Sequence, residues 1–154
     1  MKKLSVRLRI TLLYTFFMTV LTAASLFLLF SLSSREVLTS TGAELEEEVH
    51  ESVEELTIQN GEVRVDSDFY SLEKGVYLAL YDEQGYFLYG RVPYGFDVQP
   101  EFEDGNLRKL NDRQKKWFVY DQFFKVDGEN AVYVRGVTSI TDVEEKFYVT
   151  MRIA

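Results

Sequence analysis

The sequence predicts an α+β protein, in which an N-terminal transmembrane helix continues into a stalk helix and is followed by a small antiparallel sheet. Three observations predict this class. A stretch of 25 residues without a charge comes first. A segment with apolar residues at helical spacing follows. In the rest of the chain, apolar and polar residues alternate with a period of two in short runs that are separated by turn residues.

The charges are divided unevenly along the 154 residues. Residues 1–34 hold four basic side chains and no acidic one, whereas residues 35–154 hold the other 13 of the 17 basic residues and all 25 acidic ones, a net charge of −12. Such a division indicates two environments. The acidic balance also argues against binding nucleic acid, whose phosphates attract a basic surface.

The uncharged stretch is residues 10–34, ITLLYTFFMTVLTAASLFLLFSLSS. As a helix it would be ~37 Å long, more than the ~30 Å hydrocarbon core of a bilayer. A cleaved signal peptide is the main alternative, since its apolar region of ~7–15 residues ends at a small-x-small site. Here Thr22-Ala23-Ala24 is followed by more apolar residues, Leu26 to Phe30, so a cut would leave an apolar new terminus. We therefore expect an uncleaved anchor.

The flanks of this segment predict its orientation. Lys2, Lys3, Arg7 and Arg9 precede it, and a strongly acidic run follows. Because Lys and Arg are retained on the cytoplasmic side, we expect the N-terminus inside the cell and residues from about 35 onward outside, in the cell membrane. The membrane lipid is then a partner.

The stalk helix is predicted from an apolar stripe beside an acidic face, with spacings of three, four and seven residues. The stripe consists of Leu38, Leu45, Val49, Val53 and Leu56. A narrow stripe that continues out of a membrane helix is typical of a parallel dimer stalk. The alternative is that the stripe packs on the chain's own sheet. Both kinds of contact can occur in one helix, at different positions along its length.

The sheet is predicted from paired apolar runs. Asn60-Gly61 marks a turn, residues 76–82 and 86–92 form one hairpin, and residues 116–126 and 131–140 form a second. Residues 93–110 contain both prolines and are predicted to form a long loop, which could include a short helix.

The end of the chain becomes apolar and aromatic after Lys146. We expect an exit helix here that begins a second transmembrane segment and is truncated; the alternative is the final strand or frayed helix of a complete protein. The expected segments are a cytoplasmic tail over 1–9, a transmembrane helix over 10–34, a stalk over 35–60, an extracytoplasmic domain over 61–141 and an exit helix over 142–154.

The whole arrangement, with KGVYLALYDEQGYFLYGRVP and VYVRGVTSITDVEEKF after the acidic stalk, resembles the N-terminal sensor region of bacterial two-component sensor histidine kinases of the Gram-positive type. The resemblance implies an extracytoplasmic PAS-like or Cache-like sensor domain between two membrane helices. It also implies a cytoplasmic ATP-dependent and Mg-dependent kinase core, absent from this chain, and a response regulator as its partner. This chain itself is expected to hold no cofactor.

A binding site is predicted around the long loop and the strand after it. Arg91, Tyr94, Arg108 and Trp117 combine cationic and aromatic groups, which in a PAS-like fold would hold an anionic small molecule or a peptide. The alternative is that Trp117 is a core residue and the basic residues balance an acidic surface.

We predict neither catalysis nor a metal site from the sequence. There is no Cys, and His50-Glu51 is followed by Ser52 and Val53, so that neither a zinc motif nor the Arg and Pro that usually follow a kinase phosphoacceptor is present. Outside the membrane, His50 would in any case be separated from ATP. We expect it on a solvated helix face, with pH sensing as the alternative.

Two functions follow as hypotheses. The first is the signal-sensing and anchoring region of a homodimeric sensor histidine kinase, which passes the state of an unknown extracellular ligand or of the envelope through the membrane. The second is a bitopic accessory protein that binds an envelope partner and has no signalling output of its own.

Overall fold

The computed structural model describes residues 5–66, 69, 75–113, 115–127 and 130–153, and within these residues it has two helices and seven strands. Helix α1 spans Val6–Glu54 and helix α2 spans Ile140–Ile153. The strands are β1 (Thr57–Gln59), β2 (Glu62–Arg64), β3 (Val76–Asp82), β4 (Phe87–Gly90), β5 (Arg108–Asp112), β6 (Lys115–Asp127) and β7 (Asn130–Ser139). The protein is thus α+β, as predicted.

The chain divides into two compact units, Met1–Thr39 and Ser40–Ala154. The described part of the first unit is helical and carries its apolar side chains on the outside. Its threonine hydroxyls donate to the carbonyl four residues earlier, for example Thr15 to Thr11 and Thr19 to Thr15, so these polar groups are satisfied within the helix as a lipid environment requires.

Helix α1 is the one helix within the described residues that is long and apolar enough to cross a membrane. The criteria are length and composition alone, and a signal sequence near an N-terminus also meets them.

The second unit is built on a five-stranded antiparallel sheet with the order β4-β3-β7-β6-β5. Strand β7 is central and pairs with β3 on one side and with β6 on the other. Strands β1 and β2 form a separate hairpin, whose turn at Asn60-Gly61 has two positive φ angles, 57° and 80°. This turn was predicted, because Asn-Gly accommodates both left-handed positions.

The acidic part of α1 packs its apolar stripe on the helix side of the sheet. Leu45 and Val49 are completely buried, and Val53 and Leu56 are nearly so. A Cβ placed on Gly136 of β7 would lie 2.4 Å from Val49 Cγ2 and 2.8 Å from Leu45 Cδ1. Glycine at this position therefore lets the helix approach the central strand closely.

This packing decides between the two interpretations of the stripe. The four residues from Leu45 to Leu56 belong to the core of their own domain, so the prediction that they form a dimer contact is not supported at these positions. Leu38, which lies in the first unit, is half-buried. A homodimer stays a prediction, but its contact surface has to lie outside these four side chains.

The loop over 91–107 covers the opposite side of the sheet, which we call the loop side. Because side chains alternate along a strand, the neighbours of Gly136 in β7, Arg135 and Val137, face this side. Val137 forms a small core here with Phe96, Trp117 and Val119. The domain thus has an apolar helix side and a loop side that also holds charged groups.

Three boundaries differ from those predicted. The stalk predicted over 35–60 is shorter, since α1 ends at Glu54 and Thr57–Gln59 forms strand β1. The predicted loop over 93–110 ends earlier, since Arg108–Asp112 forms the edge strand β5 and no helix forms within 91–107. Helix α2 begins directly after β7, at Ile140, and the Ser139 hydroxyl accepts a hydrogen bond from the Asp142 N–H as an N-cap. That α2 starts a second transmembrane segment stays a prediction.

Candidate functional site

A buried ion pair lies at the centre of the loop side. Asp121 of β6 and Arg135 of β7 are paired residues in the sheet register. Their side chains are 0% and 3% exposed. Arg135 Nε donates to Asp121 Oδ1 at 2.6 Å and Nη2 donates to Oδ2 at 2.8 Å, which is the bidentate geometry of a strong charge-assisted pair.

A second guanidinium joins the same carboxylate. Arg108 of β5 donates from Nη2 to Asp121 Oδ2, and its Nη1 lies 3.7 Å from Oε1 of the half-exposed Glu103. Two cations therefore share one fully buried anion. We call Asp121, Arg135 and Arg108 the polar cluster.

The polar cluster holds the covering loop on the sheet. Arg108 Nη1 donates to the Glu101 carbonyl and Arg135 Nη2 donates to the Pro100 carbonyl. The Glu103 N–H donates to Asp121 Oδ2, and the Gly105 N–H donates to the Asp121 carbonyl. The first three of these four hydrogen bonds involve a charged side chain, and such bonds are stronger than those between neutral groups. They therefore fix the position of the loop.

Aromatic rings enclose the guanidinium of Arg135. The Phe102 ring centroid lies 4.1 Å from Cζ of Arg135 and the Tyr81 centroid lies 5.7 Å from it. Phe102 also stacks on Tyr133 at 4.7 Å. Burial raises the pKa of Tyr81 above its usual value; the charge of Arg135 opposes this rise and that of Asp121 adds to it.

A cavity of about 240 Å³, the loop-side cavity, lies beside the polar cluster. Its wall includes Tyr81, Phe96, Phe102, Gln99 and Arg135. It therefore combines apolar surface with a buried guanidinium.

A larger cavity of about 550 Å³, the hairpin-side cavity, opens between the β1–β2 hairpin and the sheet. Its wall includes the apolar Val63, Leu80, Leu88, Val126 and Val132. The turn residue Gln84 borders both cavities, and β7 contributes three residues to the hairpin-side cavity and Arg135 to the loop-side cavity.

The four residues predicted to bind a ligand do not converge. Trp117 is 1% exposed in the core, Arg108 is bound in the polar cluster, and Tyr94 is 99% exposed on the loop. Arg91 is also exposed. None of the four is among the described residues that line the two cavities. The core interpretation of Trp117 is thus confirmed.

Sequence reasoning missed Asp121 and Arg135. The signal was present, since each is a single charge inside an apolar or aromatic run of a predicted strand, WFVYDQFF and VYVRGV. A charge in such a run is either on the solvent side or paired, and only the pairing of β6 with β7 shows that these two meet.

His50 is a residue of α1 and is exposed, with 64% of its side chain accessible. Its Nε2 is 3.5 Å from Glu54 Oε1, and its Nδ1 is 3.3 Å from Gln122 Nε2 of β6. Among the described residues, no group of three or more acidic or histidine side chains is placed to hold a metal ion.

No known family model, curated protein or solved structure matches this chain. The functional interpretation therefore depends on the polar cluster, the two cavities and the elements that adjoin them.

Proposed function

We propose that the chain is the membrane-anchored, extracytoplasmic sensor region of a receptor of the sensor histidine kinase type. Residues 10–34 anchor it with the N-terminus in the cytoplasm, and residues 40–141 contain a PAS-like or Cache-like sensor domain outside. The antiparallel sheet with the C-terminal part of α1 on one side is the arrangement that this proposal requires.

The observation that carries the proposal is the position of β7. This strand borders both cavities, contacts α1 through Gly136 and continues into α2 without an intervening residue. A ligand that favours one arrangement of β7 would therefore bias both helices that lead from the sheet.

In this proposal the output lies beyond the chain. Helix α2 leads into a second transmembrane segment, and a cytoplasmic kinase core uses ATP and Mg²⁺ to phosphorylate a response regulator. The receptor is a homodimer, as signalling between two kinase cores requires, with contacts outside the buried stripe of α1.

The sidedness of the chain is the first test. The protein has no native Cys, so a single Cys in place of Tyr94, which is 99% exposed, gives a clean reporter. We expect a membrane-impermeant maleimide to label Y94C in intact protoplasts. The matched control is Ser5→Cys on the other side of the apolar segment, which should react only after the membrane is permeabilised.

The opposite pattern, with S5C labelled in intact protoplasts and Y94C protected, would overturn the proposed topology. Loss of the anchor on maturation would instead release labelled Y94C into the medium and indicate a signal peptide. The coding sequence after Ala154 separates the receptor from an accessory protein, since the receptor requires about 15 further apolar residues and then a basic segment.

A further inference from the structure

The guanidinium of Arg135 has donors that the polar cluster does not use. Arginine carries five N–H donors. Nε and Nη2 of Arg135 donate to Asp121 and to the Pro100 and Glu101 carbonyls. Nη1 donates to no acceptor within the described part of the chain, and Arg135 lines the loop-side cavity. The buried cation thus has one edge available toward that cavity.

The charge of the polar cluster favours an anion at this edge. Two guanidinium groups share the one buried carboxylate of Asp121, and the second carboxylate, Glu103, is half-exposed and 3.7 Å away. Arg108 Nε is also buried without a hydrogen-bond partner. Within the polar cluster itself two positive charges face one negative charge, so an additional anion beside Arg135 would meet a net positive charge that the half-exposed Glu103 offsets in part.

The wall and the size of the cavity limit what kind of anion fits. Phe96, Phe102 and Tyr81 provide flat apolar surface, and the Gln84 and Gln99 amides can donate hydrogen bonds. The volume of about 240 Å³ is below the roughly 300–1,000 Å³ of most ligand pockets. Glu101 also borders the cavity with an exposed side chain, and its negative charge disfavours a second acidic group on the ligand.

We propose that the loop-side cavity binds a small organic monocarboxylate. The carboxylate accepts hydrogen bonds from Nη1 of Arg135, and an aromatic or branched apolar body packs against Phe96 and Phe102. The role of the cavity as the sensing site rests on the proposed function. The binding of the carboxylate is a property of the domain alone and does not depend on that function.

Calorimetric titration of the full chain in a non-ionic detergent tests the proposal. Benzoate and isobutyrate are the probes, and benzamide is the uncharged analogue of benzoate. We expect at least one carboxylate to bind saturably, and benzamide to bind at least about tenfold more weakly than benzoate, because its neutral amide forms no ion pair with Arg135.

A pair of matched variants locates the site. Val92 lines the cavity and is half-exposed, so Val92→Trp fills it without altering the polar cluster. Tyr94→Trp adds the same side chain two residues away, at a fully exposed position. We expect the V92W variant to lose carboxylate binding by at least about tenfold and the Y94W variant to retain it.

Three results would overturn the proposal: neither carboxylate binds to the folded chain, benzamide binds as tightly as benzoate, or V92W binds as well as Y94W. Each is independent of the maleimide labelling, which reports only sidedness. A failure of the carboxylate site and a failure of the proposed topology are therefore distinguishable.

Discussion

Asp121 is the residue with the most unusual surroundings in the domain. It is completely buried and accepts hydrogen bonds from two guanidinium groups and from the Glu103 N–H. Buried ion pairs contribute little net stability compared with apolar packing, but removal of one partner leaves an uncompensated charge. The charge of Asp121 therefore compensates the two arginines, and through them it keeps the covering loop in place.

Substitution Asp121→Asn should destabilise the domain by about 3–5 kcal/mol, because Arg135 and Arg108 would lose their one buried counter-charge. The measurement is urea-induced unfolding in a non-ionic detergent, followed by fluorescence of Trp117, the single Trp of the chain. Glu83→Gln is the matched control at an exposed turn and should change the unfolding free energy by less than about 0.5 kcal/mol. Equal effects of the two substitutions would show that the polar cluster does not contribute as described.

At the scale of elements, α1 has two kinds of surface within the second unit. Its apolar stripe is buried on the sheet, and the exposed face carries Glu44, Glu47, Glu51 and Glu54. A second copy docked through this exposed face would bring like charges together, which opposes association. From Glu44 to its end at Glu54, α1 is thus suited to pack on its own sheet rather than to form a dimer contact through the acidic face.

Cysteine accessibility along α1 tests this assignment. Single Cys variants at Leu45 and Val49 should react with maleimide at least about tenfold more slowly than variants at Glu47 and Glu51, because the buried positions react only after local opening. The measurement is the labelling rate of the full chain in detergent, with labelling of the unfolded chain as the control for intrinsic reactivity. Rapid disulfide formation between two copies at Leu45 would instead restore the dimer-stalk interpretation.

At the scale of the whole molecule, the core of the domain lies entirely within the second unit. Every buried apolar side chain of the described residues falls between Leu45 and Ile140. The described side chains of the first unit, Met1–Thr39, contribute none. The first unit and the folded second unit are therefore separable in the energetic sense.

A fragment of residues 40–154 should consequently fold without the first unit and unfold cooperatively in urea. A fragment of residues 57–154 is the control, since it lacks the buried apolar side chains of Leu45, Val49, Val53 and Leu56. Their burial contributes roughly 6–12 kcal/mol, a large part of the ~5–15 kcal/mol stability of a typical domain. Trp117 fluorescence reports both transitions. A cooperative transition in the shorter fragment, or none in the longer one, would contradict the assignment of α1 to the core.

Much of the architecture is determined by the sequence itself. The charge-free run of residues 10–34, the spacing from Leu45 to Leu56 and the period-two runs are local properties, and they predict the long helix, the antiparallel hairpins and the Asn60-Gly61 turn. Strand β5 was not predicted, because its charged sequence is not typical of a strand and it forms only through pairing with β6.

The tertiary structure alone decided which side chains meet. The sequence allowed the stripe of α1 to face either a partner chain or its own sheet, and only the close approach at Gly136 shows that it faces the sheet. Asp121 and Arg135 are 14 residues apart in the sequence, yet they meet in the buried cluster. Trp117 is of a residue type that often contacts ligands, yet it belongs to the core. Local sequence fixes the period and direction of each element, whereas register and packing between elements distant in sequence determine its neighbours.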